Sequence, residues 1–435
     1  MKTRINLICL SLTVLPMALA WSAPPPESPY SVPQPPFSGQ VRVRTEYDQK
    51  AMADTAVNKP LLNSQLRTRL GFTASPSEKV EVKVEIQDVR FMGSETPPAA
   101  TAANPATATT GNLKGVDLLQ GYVAVEEGIF KTALGRQKMS LGAGRFLSTL
   151  EWSPTSRSFD GLSFNLKPGK GNLTGLAYLV RDTNTTVVDD RVLLTGLYYS
   201  HEILPTFTGD VYTFYDQSKL TTIYSGDTAQ HYDLKYLGER VAGKFGMFTF
   251  EEEFIYQTGK LYMKTDKTSA AFQVAARVGA VMGDHKFNAG VDAMSGDKNP
   301  ADNKVKTYRA NYYFAHAYYG WMDYFVSNPK YGVIDYRLDG EFGFLPGVSG
   351  TPRVTLKPQY HYFMPQSAPA GAKAPYGQEV DAELHLALYP KSNIVLGAAV
   401  FSPGKSAYKL PAAKLKLNQN DKPGYFLYFM PMFNF

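Results

Sequence analysis

Residues 40–48 read QVRVRTEYD and residues 65–73 read QLRTRLGFT, and these two stretches decide the fold. In each, apolar or small side chains alternate with charged or polar ones. Successive side chains of a β-strand point to opposite faces of a sheet, so each stretch predicts a strand with one apolar and one charged face. Residues 79–87, KVEVKVEIQ, repeat the pattern. A soluble sheet gives the same alternation, so the pattern alone leaves the surroundings of these strands open.

The connections between the predicted strands narrow the choice. Short turns such as 127–128 and 283–284 alternate with longer polar stretches such as 91–115, 140–157, 258–269 and 295–330. Short turns at one end and long loops at the other are typical of antiparallel barrels that cross an outer membrane. About eighteen strands are predicted on this pattern. They lie near residues 39–48, 65–75, 79–90, 116–126, 129–139, 158–166, 173–182, 191–201, 206–216, 230–239, 245–257, 270–280, 285–294, 331–343, 352–364, 377–389, 393–401 and 425–435.

Composition supports the same fold. Aromatic residues make up 13% of the chain, with 28 Tyr and 25 Phe, and such residues form the girdles of membrane barrels at the two interfaces. A sheet in lipid must also close, because an open edge would leave backbone groups unpaired. The last stretch, 425–435, is rich in aromatics and ends on Phe435. We therefore predict an all-β fold, a transmembrane antiparallel β-barrel with short periplasmic turns and long extracellular loops.

The N-terminal region predicts export. Residues 1–20 combine a basic start, a short apolar run and the small-residue ending Ala18-Leu19-Ala20, which is typical of a secretory signal peptide. A membrane anchor is the alternative, but the apolar run is short for a span. Residues 21–38 are rich in proline and predict a periplasmic tail, and residues 39–435 a single barrel domain. The predicted location is the outer membrane, reached by Sec-type export.

Enzymatic chemistry has little support in the sequence. The single cysteine, Cys9, lies in the predicted signal peptide, so the exported chain would have no thiol nucleophile and no disulfide. The six histidines show no metal-ligand spacing, and there is no nucleophile-elbow, phosphate-loop or dinucleotide motif. We therefore predict no enzyme activity, no cofactor and no nucleic-acid partner. An outer-membrane hydrolase and an adhesin with a plugged lumen stay open as alternatives.

Several short pieces resemble the alginate-export family of outer-membrane porins. They are residues 118–123 (LLQGYV), 134–137 (LGRQ), 152–153 (WS), 157–161 (RSFDG), 296–300 (GDKNP) and 316–323 (HAYYGWMD). The resemblance implies an eighteen-stranded channel lined by Arg and Lys with interspersed carboxylates, which passes an anionic polysaccharide in the type member. One departure stands at residues 142–145, which read GAGR where relatives often carry an acid before the arginine. No role of that acid is therefore carried over to this chain.

The charged faces of the strands supply the candidate lumen residues. Rings of basic side chains select anions in pores, and a cluster of like charge concentrates counter-ions in a narrow channel. The alternative is a structural lattice in which Glu46, Glu81 and Glu85 neutralise the bases. The candidates on strand faces are Arg42, Arg44, Arg67, Arg69, Lys83 and Arg277.

The stretch 140–157 is predicted to fold into the lumen, because its glycines permit sharp bends. Arg136, Arg145, Arg157 and Asp160 lie in or beside it and are predicted to line the constriction. For Asp160 the alternative is an ion pair that holds the loop.

Two loops carry weaker candidates. Residues 97–112 are low-complexity Ala, Thr and Pro and predict an outer loop. Asp297, Asp302 and Asp323 have the hard oxygen ligands that calcium prefers, although solvated loop carboxylates are the common alternative.

These observations together predict a porin, a passive channel for anionic or polyhydroxylated solutes, with alginate as one such solute. The predicted partners are outer-membrane lipid and lipopolysaccharide, the barrel-assembly machinery through the strand ending at Phe435, and an anionic or sugar-like solute. The barrel is expected to be a monomer.

Overall fold

A computed structural model describes residues 36–49, 61–92, 115–182, 190–219, 222–224, 227–229, 231–263, 265–299, 301–347, 352–369, 374–405 and 423–435. The predicted signal peptide at 1–20 and the low-complexity loop at 97–112 lie outside the described residues. Of the predicted tail at 21–38, only residues 36–38 are described, and Phe37 and Ser38 already belong to the first strand.

Eighteen antiparallel strands form a closed β-barrel, as the sequence predicts. Each barrel strand pairs with the next one along the chain. The short strands β10 and β11 pair with each other in a separate sheet, and β16 adds a brief parallel pairing to β14. The strands are β1 (Phe37–Gln49), β2 (Leu61–Ser77), β3 (Val80–Phe91), β4 (Gly115–Glu127), β5 (Phe130–Gln137), β6 (Phe159–Leu166), β7 (Gly171–Arg181), β8 (Val192–Leu204), β9 (Phe207–Ser218), β10 (Thr222–Tyr224), β11 (Asp227–Ala229), β12 (His231–Phe245), β13 (Phe248–Tyr262), β14 (Lys267–Met282), β15 (His285–Met294), β16 (Lys304–Val305), β17 (Val333–Pro346), β18 (Pro352–Met364), β19 (Gly377–Tyr389), β20 (Ser392–Pro403) and β21 (Gly424–Asn434).

The first and last strands close the ring. At the seam between β1 and β21, Gly39 and Phe435 exchange both backbone hydrogen bonds, at 2.8 and 3.0 Å. Beside them the Gln40 amide donates to the Asn434 side chain at 2.8 Å. Closure pairs the backbone groups that an open sheet would leave bare in lipid.

Tight turns join the strands at one end of the barrel. Gly128, Gly246 and Gly283 lie in three of these turns, each with φ of 59°. Glycine adopts this left-handed conformation without the steric cost of a Cβ atom, and two-residue hairpins depend on it. This end is the periplasmic end in barrels of this type.

The two faces of the wall reverse the usual arrangement of a soluble protein. On β2, the side chain of Arg67 points inward and the residue is 2% exposed, whereas Leu70 points outward and is 51% exposed. Leu134, Leu237 and Leu338 are exposed in the same way on other strands. An apolar outer band around a polar interior is the surface that a bilayer requires.

One predicted connection is wrong. Residues 258–269 were predicted as a long loop, but β13 continues to Tyr262 and β14 begins at Lys267. Thr258 and Lys260 are polar residues on the outward face of this strand end, where Lys260 is exposed, whereas the inward residues Gln257 and Leu261 are buried. Among the described residues, the one helix is the 3-10 turn Ala315–Ala317, and none is long and apolar enough to cross a membrane.

Candidate functional site

A cluster of arginines lines one wall of the barrel interior. Because polar residues of β1 and β2 point inward at every second position, two arginines from each strand meet on this wall. Arg42 lies directly opposite Arg67 in the register of the two strands. Like charges in that position repel, so the cluster needs oxygen partners. The cluster, called the basic wall below, consists of Arg42, Arg44, Arg67 and Arg69, which are 2–5% exposed.

The oxygen partners come from the backbone of one loop. Residues 138–158, called the inward loop below, connect β5 to β6 and cross the barrel interior. Arg42 donates to the carbonyl oxygens of Glu151 at 2.9 Å and Ser153 at 3.0 Å. Arg67 donates to the Glu151 carbonyl at 3.1 Å, and Arg44 donates to that of Trp152. Guanidinium groups bound to backbone carbonyls therefore hold this loop against the wall.

The Glu151 side chain adds a carboxylate to the same contact. Arg69 donates to Glu151 Oε2 at 2.8 Å, Lys138 donates to Oε1 at 3.2 Å, and the Ser156 hydroxyl donates at 2.8 Å. Burial alone would raise the pKa of Glu151, but the charges of Arg69, Lys138 and Arg67 outweigh it and lower the pKa to about 2. Glu151 is therefore ionised at every physiological pH.

Trp152 forms a layered contact between two loops and the wall. The Arg44 guanidinium lies 4.2 Å from the centroid of the Trp152 ring, within cation–π range. The other partner is His316, whose ring stacks on Trp152 at 3.8 Å with an angle of 5°. The Nδ1 atom of His316 lies 3.1 Å from Asp323 Oδ1.

The same inward loop makes a second contact on the far side of the ring, where the charges are reversed. Arg145 points from the loop toward β13 and β15, and its side chain is completely buried. Its Nε donates to Asp292 at 3.0 Å, and its Nη1 contacts Glu253 at 3.3 Å and also Glu251. Burial alone would lower the pKa of Arg145, but Asp292 and the other carboxylates raise it well above its usual value. The wall thus surrounds Arg145 with three carboxylates.

A second loop packs against the inward loop inside the barrel. Residues 295–332, called the capping loop below, connect β15 to β17. The Ser148 amide donates to the Tyr312 carbonyl at 3.0 Å, and the Phe314 amide donates to the Gly144 carbonyl at 3.0 Å. Arg157 is buried between the loops and donates to the Tyr312 carbonyl, and burial lowers the pKa of Arg157 to about 10. The buried aromatic residues of this loop include Tyr308, Tyr312, Tyr313, Tyr319, Trp321 and Phe325.

The tip of the capping loop rests on buried carboxylates that sequence reasoning did not single out. The Met322 amide donates to Glu379 Oε1 at 2.8 Å, and the Trp321 amide donates to Asp381 Oδ2 at 3.3 Å. His361 joins the group through Asp335, with Nδ1 2.8 Å from Oδ2. The only sequence signal was that Glu379 and Asp381 share the charged face of β19. Nothing in the strand pattern indicates that a loop covers them.

Two of the predicted lumen residues face the other way. Arg136 and Asp160 form an ion pair at 2.7 Å, directly opposite each other on β5 and β6. Arg136 lies two positions from Leu134, which is 64% exposed on the outer surface, so it shares the outer face. The prediction that Arg136 and Asp160 line the lumen is therefore wrong. Their position beside the loop suggested the interior, but the two-residue period of the strand decides the face.

Lys83 and Arg277 lie on inward faces, apart from the basic wall. Arg277 donates to Asp292 at 2.8 Å and lies 5.1 Å from the Tyr318 ring, so it joins the group around Arg145. Lys83 points inward from β3 between Thr73 and Tyr122 of the neighbouring strands. Its ammonium group has no ion pair within the part of the chain that the structure describes.

The calcium candidates are not brought together. Asp302 pairs with Lys306 at 2.7 Å, Asp323 faces His316, and Asp297 accepts from the backbone amides of residues 299 and 306. The described residues contain no group of three or more His, Cys, Asp or Glu side chains placed to hold a metal ion. Calcium binding at these residues stays a prediction.

The comparisons with known proteins agree with this geometry. The sequence profile of a family described as alginate export matches residues 34–329. No curated protein sequence matches the chain.

Solved structures resemble the barrel at low sequence identity. A BenF-like porin from Pseudomonas fluorescens Pf-5 is similar with a TM-score of 0.60 and 11% identity, over 92% of this chain and 97% of that one. OccK3 (OpdO) of Pseudomonas aeruginosa gives 0.59 and 11%, over 92% and 95%. OccK2 (OpdF) of the same organism, in complex with glucuronate, gives 0.58 and 11%, over 92% and 95%. At this identity the likeness shows the fold alone.

Proposed function

This chain belongs to the alginate export family and is an outer-membrane channel of the porin type, and from that premise we propose that it passes anionic solutes passively. The proposed solutes carry carboxylates on polyhydroxylated rings, and an anionic polysaccharide such as alginate is one of them. The basic wall would attract and orient the carboxylates, without covalent chemistry. The family name supports this class of solute.

The observation that carries the proposal is the surplus of basic groups where the inward loop meets the wall. Five cations are gathered there, the four arginines of the basic wall and Lys138. Among the residues that the structure describes, the carboxylates within ion-pair distance of them are Glu46, Glu85 and Glu151. Most of the remaining arginine donors bind neutral carbonyls, which satisfy hydrogen bonds without cancelling charge. Unbalanced positive charge in a narrow, low-dielectric passage favours anions.

The test is ion selectivity in a planar bilayer. The exported chain would be refolded, and its reversal potential measured in a salt gradient. The double variant R42Q/R67Q removes two directly opposed charges from the wall and is expected to shift the reversal potential toward cation preference. R136Q is the control for position, since it removes one arginine charge from the outer face. Cation preference of the unchanged protein, or equal shifts in both variants, would contradict the proposal.

A second candidate function, a barrel whose lumen is plugged, has one observation in its favour. The four arginines are 2–5% exposed, since residues 151–153 of the inward loop already occupy their donors. On this alternative the chain would act as an adhesin or a structural barrel. It predicts no conductance from a correctly folded protein, whereas the channel proposal predicts steps of current.

The partners also belong to the proposal. We expect lipid and lipopolysaccharide around the outer band, and the barrel-assembly machinery to bind the strand that ends at Phe435. We expect a monomer, which sedimentation in detergent would check. Export by a Sec-type route would be checked by the mature N-terminus of the secreted chain.

A further inference from the structure

A polar cavity lies inside the barrel, away from the basic wall. It has a volume of about 340 Å³ and is bounded by residues 140–142 of the inward loop and by β7, β8, β9 and β12. The wall residues that line it come from the strand halves nearest the tight turns, so it opens toward the periplasmic end. Ligand pockets for small molecules begin at about 300 Å³, so one sugar-sized ligand fits.

Two charged side chains in this cavity have polar atoms without a partner. Asp210 is 4% exposed, and its Oδ2 accepts from the Tyr198 hydroxyl at 2.7 Å and from Arg240 at 2.9 Å. The other oxygen, Oδ1, is buried without a hydrogen bond, and so is the Nε of Arg240. A buried polar atom without a partner is unfavourable, so a ligand or water that reaches these two atoms would be held there.

Hydroxyl groups surround that pair. Ser140 of the inward loop, Ser200 of β8 and Thr208 of β9 line the cavity, and their hydroxyls have no protein partner among the residues described. A hydroxyl both donates and accepts, and so does the hydroxyl of a sugar. An acceptor, a donor and three hydroxyls around one space match a ring that carries several hydroxyls.

The charge of the cavity argues for a neutral ligand. Arg240 is already shared between Asp210 and Glu251, at 2.9 and 3.3 Å. The described residues that line the cavity leave no surplus cation, in contrast to the basic wall. A carboxylate entering here would meet the unpaired oxygen of Asp210 and be repelled.

The loop backbone is shaped to leave this space open. Gly142 has φ of 53°, and a Cβ atom there would lie 2.5 Å from the Tyr198 hydroxyl. A side chain at this position would therefore be strained and would displace Tyr198 from Asp210.

We propose that this cavity is a binding site for an uncharged polyhydroxylated ring, a neutral sugar unit. The site goes beyond the proposed anion passage, because it uses different residues and prefers an uncharged ligand over an anion. In a channel, it would retain neutral sugars at the periplasmic end.

The test compares glucose with glucuronate, which differ by one carboxylate. Each sugar would be titrated into the full-length barrel in detergent, and binding followed by ligand-observed saturation-transfer NMR. Glucose is expected to bind more tightly than glucuronate. The double variant S200A/T208V leaves the Asp210–Arg240 pair intact and removes two hydroxyls. It is expected to weaken glucose binding about thirtyfold, since each lost hydrogen bond contributes about 1 kcal/mol.

Two variants control the result. T73V changes an inward threonine of β2, away from the cavity, and is expected to leave glucose binding unchanged. T208S keeps the hydroxyl and is expected to retain it as well. Glucose binding that survives S200A/T208V, or falls equally in T73V, would overturn the proposal. Tighter binding of glucuronate than glucose, lost in S200A/T208V, would overturn the neutral-ligand assignment. The assay needs no ion flow, so its failure is distinct from failure of the anion channel.

Discussion

The inward loop is attached to the barrel at two places with opposite polarity. At residues 151–153 the wall supplies guanidinium groups and the loop supplies carbonyl oxygens. At Arg145 the loop supplies the guanidinium group and the wall supplies three carboxylates. In the first attachment the arginines bind mostly neutral carbonyl oxygens, so part of their positive charge is not neutralised. The second surrounds one buried cation with three carboxylates, of which Glu251 also pairs with Arg240 and Asp292 with Arg277. We infer that the second holds the loop more firmly, whereas the first sets the electric field.

The largest expected effect is at the second attachment. R145Q leaves Asp292, Glu251 and Glu253 without their shared partner inside the barrel. Breaking a buried ion pair from one side costs about 3–5 kcal/mol. The free energy of unfolding, from urea titration of the refolded barrel, is expected to fall by that amount. A released loop should also increase current noise in bilayers. A loss below about 1 kcal/mol would show that the second attachment holds the loop no better than a surface ion pair and would contradict its inferred strength.

The pH dependence of stability tests the first attachment through Glu151. Its pKa is lowered from 4.5 to about 2, so its ionised form stabilises the folded loop. That contribution is present above about pH 4.5 and is lost as the pH falls toward 2. The unfolding midpoint of the unchanged protein should therefore drop more between pH 5 and pH 2.5 than that of E151Q. Identical pH profiles would show that Glu151 does not hold the loop.

Trp152 offers a smaller effect at the first attachment. W152L removes the cation–π contact with Arg44 and the stacking on His316. Such aromatic contacts contribute about 0.5–2 kcal/mol. Unfolding in urea should reveal a loss in this range, and W152F should recover part of it. If W152L were as damaging as R145Q, the inferred order of the two attachments would be reversed.

The smallest effect is expected outside the lumen. R136Q breaks a partly exposed ion pair with Asp160 on the outer face. Such pairs contribute at most about 1 kcal/mol, so stability and ion selectivity should both stay nearly unchanged. A clear change in reversal potential would place Arg136 in the conduction path and contradict its outward position.

The fold could be predicted from the sequence because a membrane barrel repeats one local rule. The alternation around Arg42 and Arg67 predicts that both side chains point into the barrel. Each of the eighteen predicted strands corresponds to a barrel strand. The same rule would have placed Arg136 outward, had its spacing from Leu134 been weighed above its position beside the loop.

The loop contacts could not be predicted in this way. Arg145 contacts side chains 106 to 147 positions later in the chain. No periodicity links such residues, since their meeting depends on the path of two loops through the interior. Glu151 was missed for the same reason, as it lies in a segment without strand alternation. The contact of this loop carboxylate with three basic residues is evident only from the structure of the closed barrel.

The seam at Gly39 and Phe435 has a consequence for how the barrel forms. The partners there, such as Gln40 and Asn434, lie 394 positions apart, whereas most other strand pairs are hairpin neighbours. Contacts between distant residues form slowly, because the intervening chain must first be ordered. Until the ring closes, β1 and β21 expose unpaired edges that invite pairing with other chains. The state most open to aggregation is therefore the barrel just before closure, when both edges are still exposed.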